Sequence, residues 1–99
     1  MKGNFKTLIN SDAPVLVDFY TAWCGPCKMQ AQILKEVAQA IGDKAKIIKI
    51  DVDQNQELAN RLQVRGVPTL ILFKKGEVLW RNSGVTEKRE LVALLRENS

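Results

Sequence analysis

The stretch APVLVDFYTAWCGPCKMQAQILKEVAQAIG, Ala13 to Gly42, changes its periodicity once. From Ala13 to Tyr20 nearly every position is apolar, as in a strand buried on both faces. From Pro26 to Ile41 the apolar residues fall at helical spacing. Met29, Ile33, Val37 and Ile41 recur every four positions, with Leu34 and Ala38 widening the stripe. Gly42 then suits the C-cap. Between strand and helix stand the chain's two cysteines, Cys24 and Cys27, separated by Gly25-Pro26.

Outward from this unit, residues 4–10 suit a short helix with Asn4 as N-cap, ending before Ser11-Asp12. Lys46 to Val52 (KIIKIDV) reads as a second strand. Asn55 to Leu62 reads as a short helix with Leu58, Ala59 and Leu62 on one side. Thr69 to Phe73 and Glu77 to Arg81 are strands joined by Lys74-Lys75-Gly76, a hairpin signal. Thr86 is placed to cap a last helix, with Leu91, Leu94 and Leu95 facing inward and Arg96 near its end. This order predicts an α/β fold, a central mixed sheet with helices on both faces. Ninety-nine residues suffice for a single domain over 1–99 and are too few for two.

Composition narrows the chemistry. The chain is 45% hydrophobic and 26% charged, as globular domains are. It has no histidine, which excludes a histidine general base and any Cys-His or Ser-His pair. With two cysteines besides, a four-ligand zinc site cannot be assembled, and no metal is expected. The 15 basic residues outnumber the 11 acidic ones but are spread from Lys2 to Arg96, adjacent only at Lys74-Lys75 and Lys88-Arg89. A solvated basic surface is expected, with no nucleic-acid partner. No apolar run approaches the roughly 18 residues of a membrane span. The segment MKGNFKTLINSD lacks the apolar core of a signal peptide, so a cytoplasmic location is expected. A periplasmic or other extracytoplasmic location is the alternative if a signal segment has been removed.

Residues three apart on a helix hold their Cβ atoms about 5–6 Å apart, near the Cα range of roughly 4.4–6.8 Å over which disulfides close. A CxxC at a helix start can therefore hold the bond or release it with little backbone movement. Pro26 fits the first turn, where its missing N–H costs nothing. Cys24, just ahead of the helix, meets unpaired N–H groups and the positive dipole end, which favour a thiolate. It is the expected nucleophile. Cys27, one turn in and more buried, is the expected resolving thiol. A purely structural disulfide is the alternative, but closing so short a loop contributes only about 2 kcal/mol, and a reducing cytosol would open it.

Asp18 interrupts VLVDFY, where both faces should be buried. An isolated buried carboxylate is costly and its pKa rises. It reads either as a proton acceptor that helps Cys27 ionise or as a satisfied structural group at a strand end. Lys49 interrupts IIKIDV in the same way and could snorkel from a sheet edge. Taken alone, Pro68 reads as trans, Gly84 as a turn glycine and Trp80 as a packing residue.

The stretch VDFYTAWCGPCK, with GVPTL at 66–70 and Gly84, closely resembles the thioredoxin family, from about Val15 to the C-terminus. The resemblance implies the thioredoxin fold and an enzyme, a thiol-disulfide oxidoreductase that reduces protein disulfides by exchange through Cys24 and Cys27. Gly25 and Pro26 would tune the potential. Asp18 matches the family's buried aspartate, and Lys49 would lie near it and modulate its charge. Pro68 would be cis and face the disulfide, with the Val67 backbone free to pair with a substrate strand. Gly66 would supply backbone freedom there, and Trp23 and Gly84-Val85 would complete the groove. Implied partners are disulfide-containing protein substrates and a reductase donor, a flavoprotein drawing on NADPH. No bound cofactor and a monomeric state are expected. The alternatives are an extracytoplasmic disulfide exchanger or electron relay of the same fold, and a non-catalytic binding subunit.

Three departures stand against the family pattern. Few residues precede the first clear strand, so the family's extra N-terminal strand is expected to be absent. Gln32 stands where a proline commonly kinks the long helix, so a straighter helix is expected. Tyr20 stands where many bacterial members carry tryptophan, which adds a hydroxyl near the active-site face.

Overall fold

In the computed structural model, which describes residues 4–99, the strand β1 (Val15–Tyr20) runs through the middle of the molecule. Its alternation dictates the layering. Val15, Val17 and Phe19 point to one side, where they pack with Ile50, Val64, Ile71 and Phe73. The helices α1 (Phe5–Ile9) and α3 (Gln56–Arg61) cover that side through Ile9 and Ala59. Leu16 points the other way, into Leu34, Val37 and Ile41 of α2 (Gly25–Ile41) and Leu91 and Leu95 of α4 (Lys88–Asn98). By the same alternation, Asp18 lies on the α2 side.

Completing the sheet are β2 (Lys46–Asp51), β3 (Thr69–Lys74) and β4 (Glu77–Ser83), in the order β2-β1-β3-β4. β2 runs parallel to β1, so the connection must cross over, and α2 is that crossover. β3 runs antiparallel to β1, and β4 antiparallel to β3. The β3–β4 turn holds Lys75 and Gly76 at positive φ (53° and 83°), the pattern of hairpin turns whose twist matches the strands. The thioredoxin-type α/β architecture, a mixed sheet with helices on both faces, is thus present. Among the described residues no strand precedes β1, and Met1–Gly3 lie outside them.

Two details depart from the sequence reading. Met29 is 61% exposed, whereas the buried seam of α2 runs through Cys27, Gln30, Leu34, Val37 and Ile41. A strict four-residue row drifts about 40° per step around a helix of 3.6 residues per turn, so its far end leaves the seam. Alternating steps of three and four hold the line. Thr86 does not cap α4. Glu87 takes the N-cap position without a side-chain bond, because Thr86 is buried and engaged elsewhere.

Candidate active site

β1 ends at Tyr20 and the chain turns into α2 through Trp23 and Cys24. Cys24 is itself the N-cap of α2, with an extended backbone (φ −89°, ψ 115°). Its Sγ accepts the Cys27 N–H at 3.1 Å, the task that serine or aspartate performs in ordinary caps. Cys24 and Cys27 are joined as a disulfide with their Cα atoms 5.2 Å apart, within the usual span. When the bond opens, a sulfur at the cap faces first-turn N–H groups that lack intrahelical acceptors, so negative charge is favoured there. Pro26 sits in the first turn and removes one such donor at no cost. The expected difference in burial is slight, with Cys24 5% and Cys27 4% exposed. The cap position, not accessibility, distinguishes the two sulfurs.

Cys24 is covered by the loop before β3. Its Sγ lies 3.8 Å from the Val67 carbonyl oxygen, and the Val67-Pro68 peptide bond is cis. Gly84, at φ 100°, donates its N–H to the Pro68 carbonyl at 2.8 Å and so fastens the end of β4 to this loop. That φ is one that glycine adopts freely. Val85 follows, half-buried. Gly66 does not fill the role expected of it. Its φ is not positive, and a Cβ there would meet nothing within 4 Å. Its carbonyl instead accepts the Thr69 hydroxyl at 2.6 Å, which folds the loop back onto β3.

Trp23 is 73% exposed and oriented by its indole N–H, which donates to Asp53 Oδ2 at 2.9 Å. Asp53 is set in turn by the Asp51 carboxylate, which accepts the Asp53 N–H at 2.9 Å. Sequence reasoning missed Asp53. The available signal was parallel pairing. The residues after β2 must lie beside those after β1, and the Val52 N–H indeed donates to Tyr20 O at 2.8 Å.

Beneath the cysteines' side of the sheet, Asp18 is fully buried and neither carboxyl oxygen meets a protein donor. Its pKa is raised from 3.8 to about 6, chiefly by burial, with the Lys49 charge pulling the other way. Lys49 faces Asp18 in the β1–β2 register and is exposed, with Nζ 4.6 Å from the Tyr20 ring centroid. It therefore snorkels from the sheet edge and still acts on Asp18. Replacing Lys49 with methionine should move the Asp18 midpoint further up, because the ammonium that opposes the effect of burial is gone. A carboxyl-carbon NMR titration reads this directly, and an unmoved midpoint would show that the charge is not felt.

Among the described residues no cluster of three or more His, Cys, Asp or Glu could hold a metal ion, and no helix is long and apolar enough to cross a membrane. The family model described as Thioredoxin matches residues 1–97. The chain is 48% identical over 88 residues to thioredoxin of Bacillus subtilis, covering 89% of this chain and 85% of that protein. To thioredoxin of Alicyclobacillus acidocaldarius it is 45% identical over 94 residues, covering 95% and 90%. Among solved structures, thioredoxin of Malassezia sympodialis superposes with a TM-score of 0.84 at 32% identity, covering 95% of this chain and 82% of that one. A mutant thioredoxin from Halobacterium salinarum superposes with a TM-score of 0.82 at 41% identity, covering 92% and 78%.

Proposed function

The chain belongs to the thioredoxin family and is a thiol-disulfide oxidoreductase, and from that premise we propose that it works as a reductant of protein disulfides. The Cys24 thiolate attacks one sulfur of the target disulfide, forming a Cys24–target bond and expelling the other target sulfur as a thiolate, which takes a proton from solvent. Cys27 then loses its proton toward Asp18 and attacks Cys24 Sγ. The Cys24–Cys27 bond forms, the second target thiol leaves, and two electrons have passed to the target. A carboxyl with its midpoint near 6 is largely ionised at neutral pH and still basic enough to receive that proton.

The target strand is taken to lie in the groove of Trp23, Gly66-Val67-Pro68 and Gly84-Val85, pairing with the Val67 backbone. Gly25 and Pro26 set the potential of the ring they close, and Lys49 tunes Asp18. Residues 1–99 act as one domain and as a monomer in the cytoplasm. A reductase, an NADPH-dependent flavoprotein, returns the electrons, and no cofactor is held by the chain itself.

The observation that carries this reading is Cys24 Sγ at the α2 cap, bonded to Cys27 and 3.8 Å from the Val67 carbonyl. The test is reduction of insulin disulfides with dithiothreitol as donor, together with the equilibrium potential. A value near about −270 mV, the figure typical of thioredoxins, fits a reductant, and one near about −120 mV would make the protein an oxidant and sink the proposal.

A further inference from the structure

Gln30 has no part in the chemistry above, yet it is 0% exposed on the inner seam of α2, one turn beyond Cys27. A buried amide is costly unless both of its ends are paired. Here both are. Gln30 Nε2 donates to the Thr86 carbonyl at 3.0 Å, and Gln30 Oε1 accepts the Thr86 N–H at 2.8 Å. The carboxamide thus pairs with one residue's backbone as a neighbouring strand would. Thr86 is itself 2% exposed, and its hydroxyl accepts from Asn82 Nδ2 at 2.9 Å, which ties it to β4 as well.

Thr86 ends the short segment that begins at Gly84. That segment is therefore pinned twice, at Gly84 to the Pro68 carbonyl and at Thr86 to the active-site helix. An aliphatic side chain at position 30 could join Leu34 and Val37 equally well. It would leave the Thr86 N–H and C=O unpaired and the segment fixed from one side only.

We propose that Gln30 is a positioning residue, whose amide latches the Gly84–Thr86 edge of the substrate groove to the helix that carries Cys27. The inference rests on the groove reading above. It separates docking from chemistry: the latch sets how an extended protein target is received and leaves the reactivity of Cys24 alone.

The test is Gln30→Met, which keeps the length of the side chain and removes both bonds. The KM for insulin should rise about 3–10-fold with kcat within about twofold of wild type. The rate with a small aromatic disulfide (dithionitrobenzoate) and the reduction potential should stay unchanged. In hydrogen exchange, the Thr86 amide should lose protection while Leu72 in the core keeps its own. An unchanged KM with the Thr86 amide exposed would overturn the latch, and so would an equal slowing with the small disulfide. Should Gln30→Met fail to fold, Gln30→Asn keeps an amide at position 30 but is one methylene too short to reach both Thr86 backbone groups. It must then raise the insulin KM by at least about twofold, and no rise would overturn the proposal. Wild-type protein that cannot reduce insulin refutes the proposed function itself, a different result from an active wild type with a variant of unaltered KM.

Discussion

Cys27→Ser will accumulate a covalent complex with its target protein, whereas Cys24→Ser will form none. Both variants will lose at least about a thousandfold in insulin turnover. The two losses have different origins. Cys24 supplies the attacking sulfur from a cap where the Cys27 N–H is aimed at it from 3.1 Å. A serine hydroxyl at that place stays protonated at neutral pH, and the chain has no histidine that could serve as its base. The first step therefore fails. In Cys27→Ser the first step proceeds, because the Cys27 N–H is a backbone group and the mutation leaves it in place. The second step has no sulfur to attack with, and the Cys24–target bond persists until an external thiol cleaves it. Non-reducing electrophoresis and intact mass measure the trapped species. A complex formed equally by both variants, or only by Cys24→Ser, would reverse the roles assigned to the two sulfurs.

How much of this was legible before the structure depends on the range of the interactions. β1, α2, the β3–β4 hairpin and the cysteine pair declare themselves locally, through periodicity, a positive-φ turn and a three-residue spacing. Asp18 was legible as an anomaly for the same reason, since one charge inside an apolar strand stands out against its immediate neighbours. The residues that shape the site from a distance were not legible. The bond from Trp23 to Asp53 spans 30 positions and those from Gln30 to Thr86 span 56. Gln30 in particular looks like a surface residue in a helix with many polar neighbours, and its burial follows from a three-four seam that the four-residue row obscured. Thr86 followed by Glu87 looks like a helix start, but Gln30 holds the Thr86 backbone and Asn82 its hydroxyl, and the N-cap falls one residue later, at Glu87. At Gly66 the loop uses the carbonyl, which every residue has, and a φ open to other residues.

Asp18→Asn will make the protein more stable and slower. In the folded chain the Asp18 carboxyl titrates near 6 against 3.8 for an aspartate in water, so the native state holds this proton more tightly than the unfolded one. Between these two values the native state carries the excess proton, and stability falls as pH rises through the window. Above pH 7 the full cost of the buried carboxylate is present, about 3 kcal/mol for a shift of this size. Below about pH 4 the carboxyl is neutral in both states and the cost is gone.

Asparagine has nearly the same shape and no charge to bury. The variant should therefore gain about 2–3 kcal/mol over wild type at pH 8, or roughly 10 °C or more in Tm for a domain of this length. The gain should shrink toward zero by about pH 4. Denaturant titrations at the two pH values measure it. The catalytic effect has the opposite sign, because an amide cannot receive the Cys27 proton. Release of the trapped target at neutral pH should slow by at least about tenfold and lose its dependence on pH near 6. A variant that gains stability without slowing would make Asp18 a destabilising passenger, and one that slows without gaining stability would mean that the carboxylate is not desolvated. Only the two changes together identify a base held ready by burial, since desolvation is the common cause of the raised midpoint and of the lost stability.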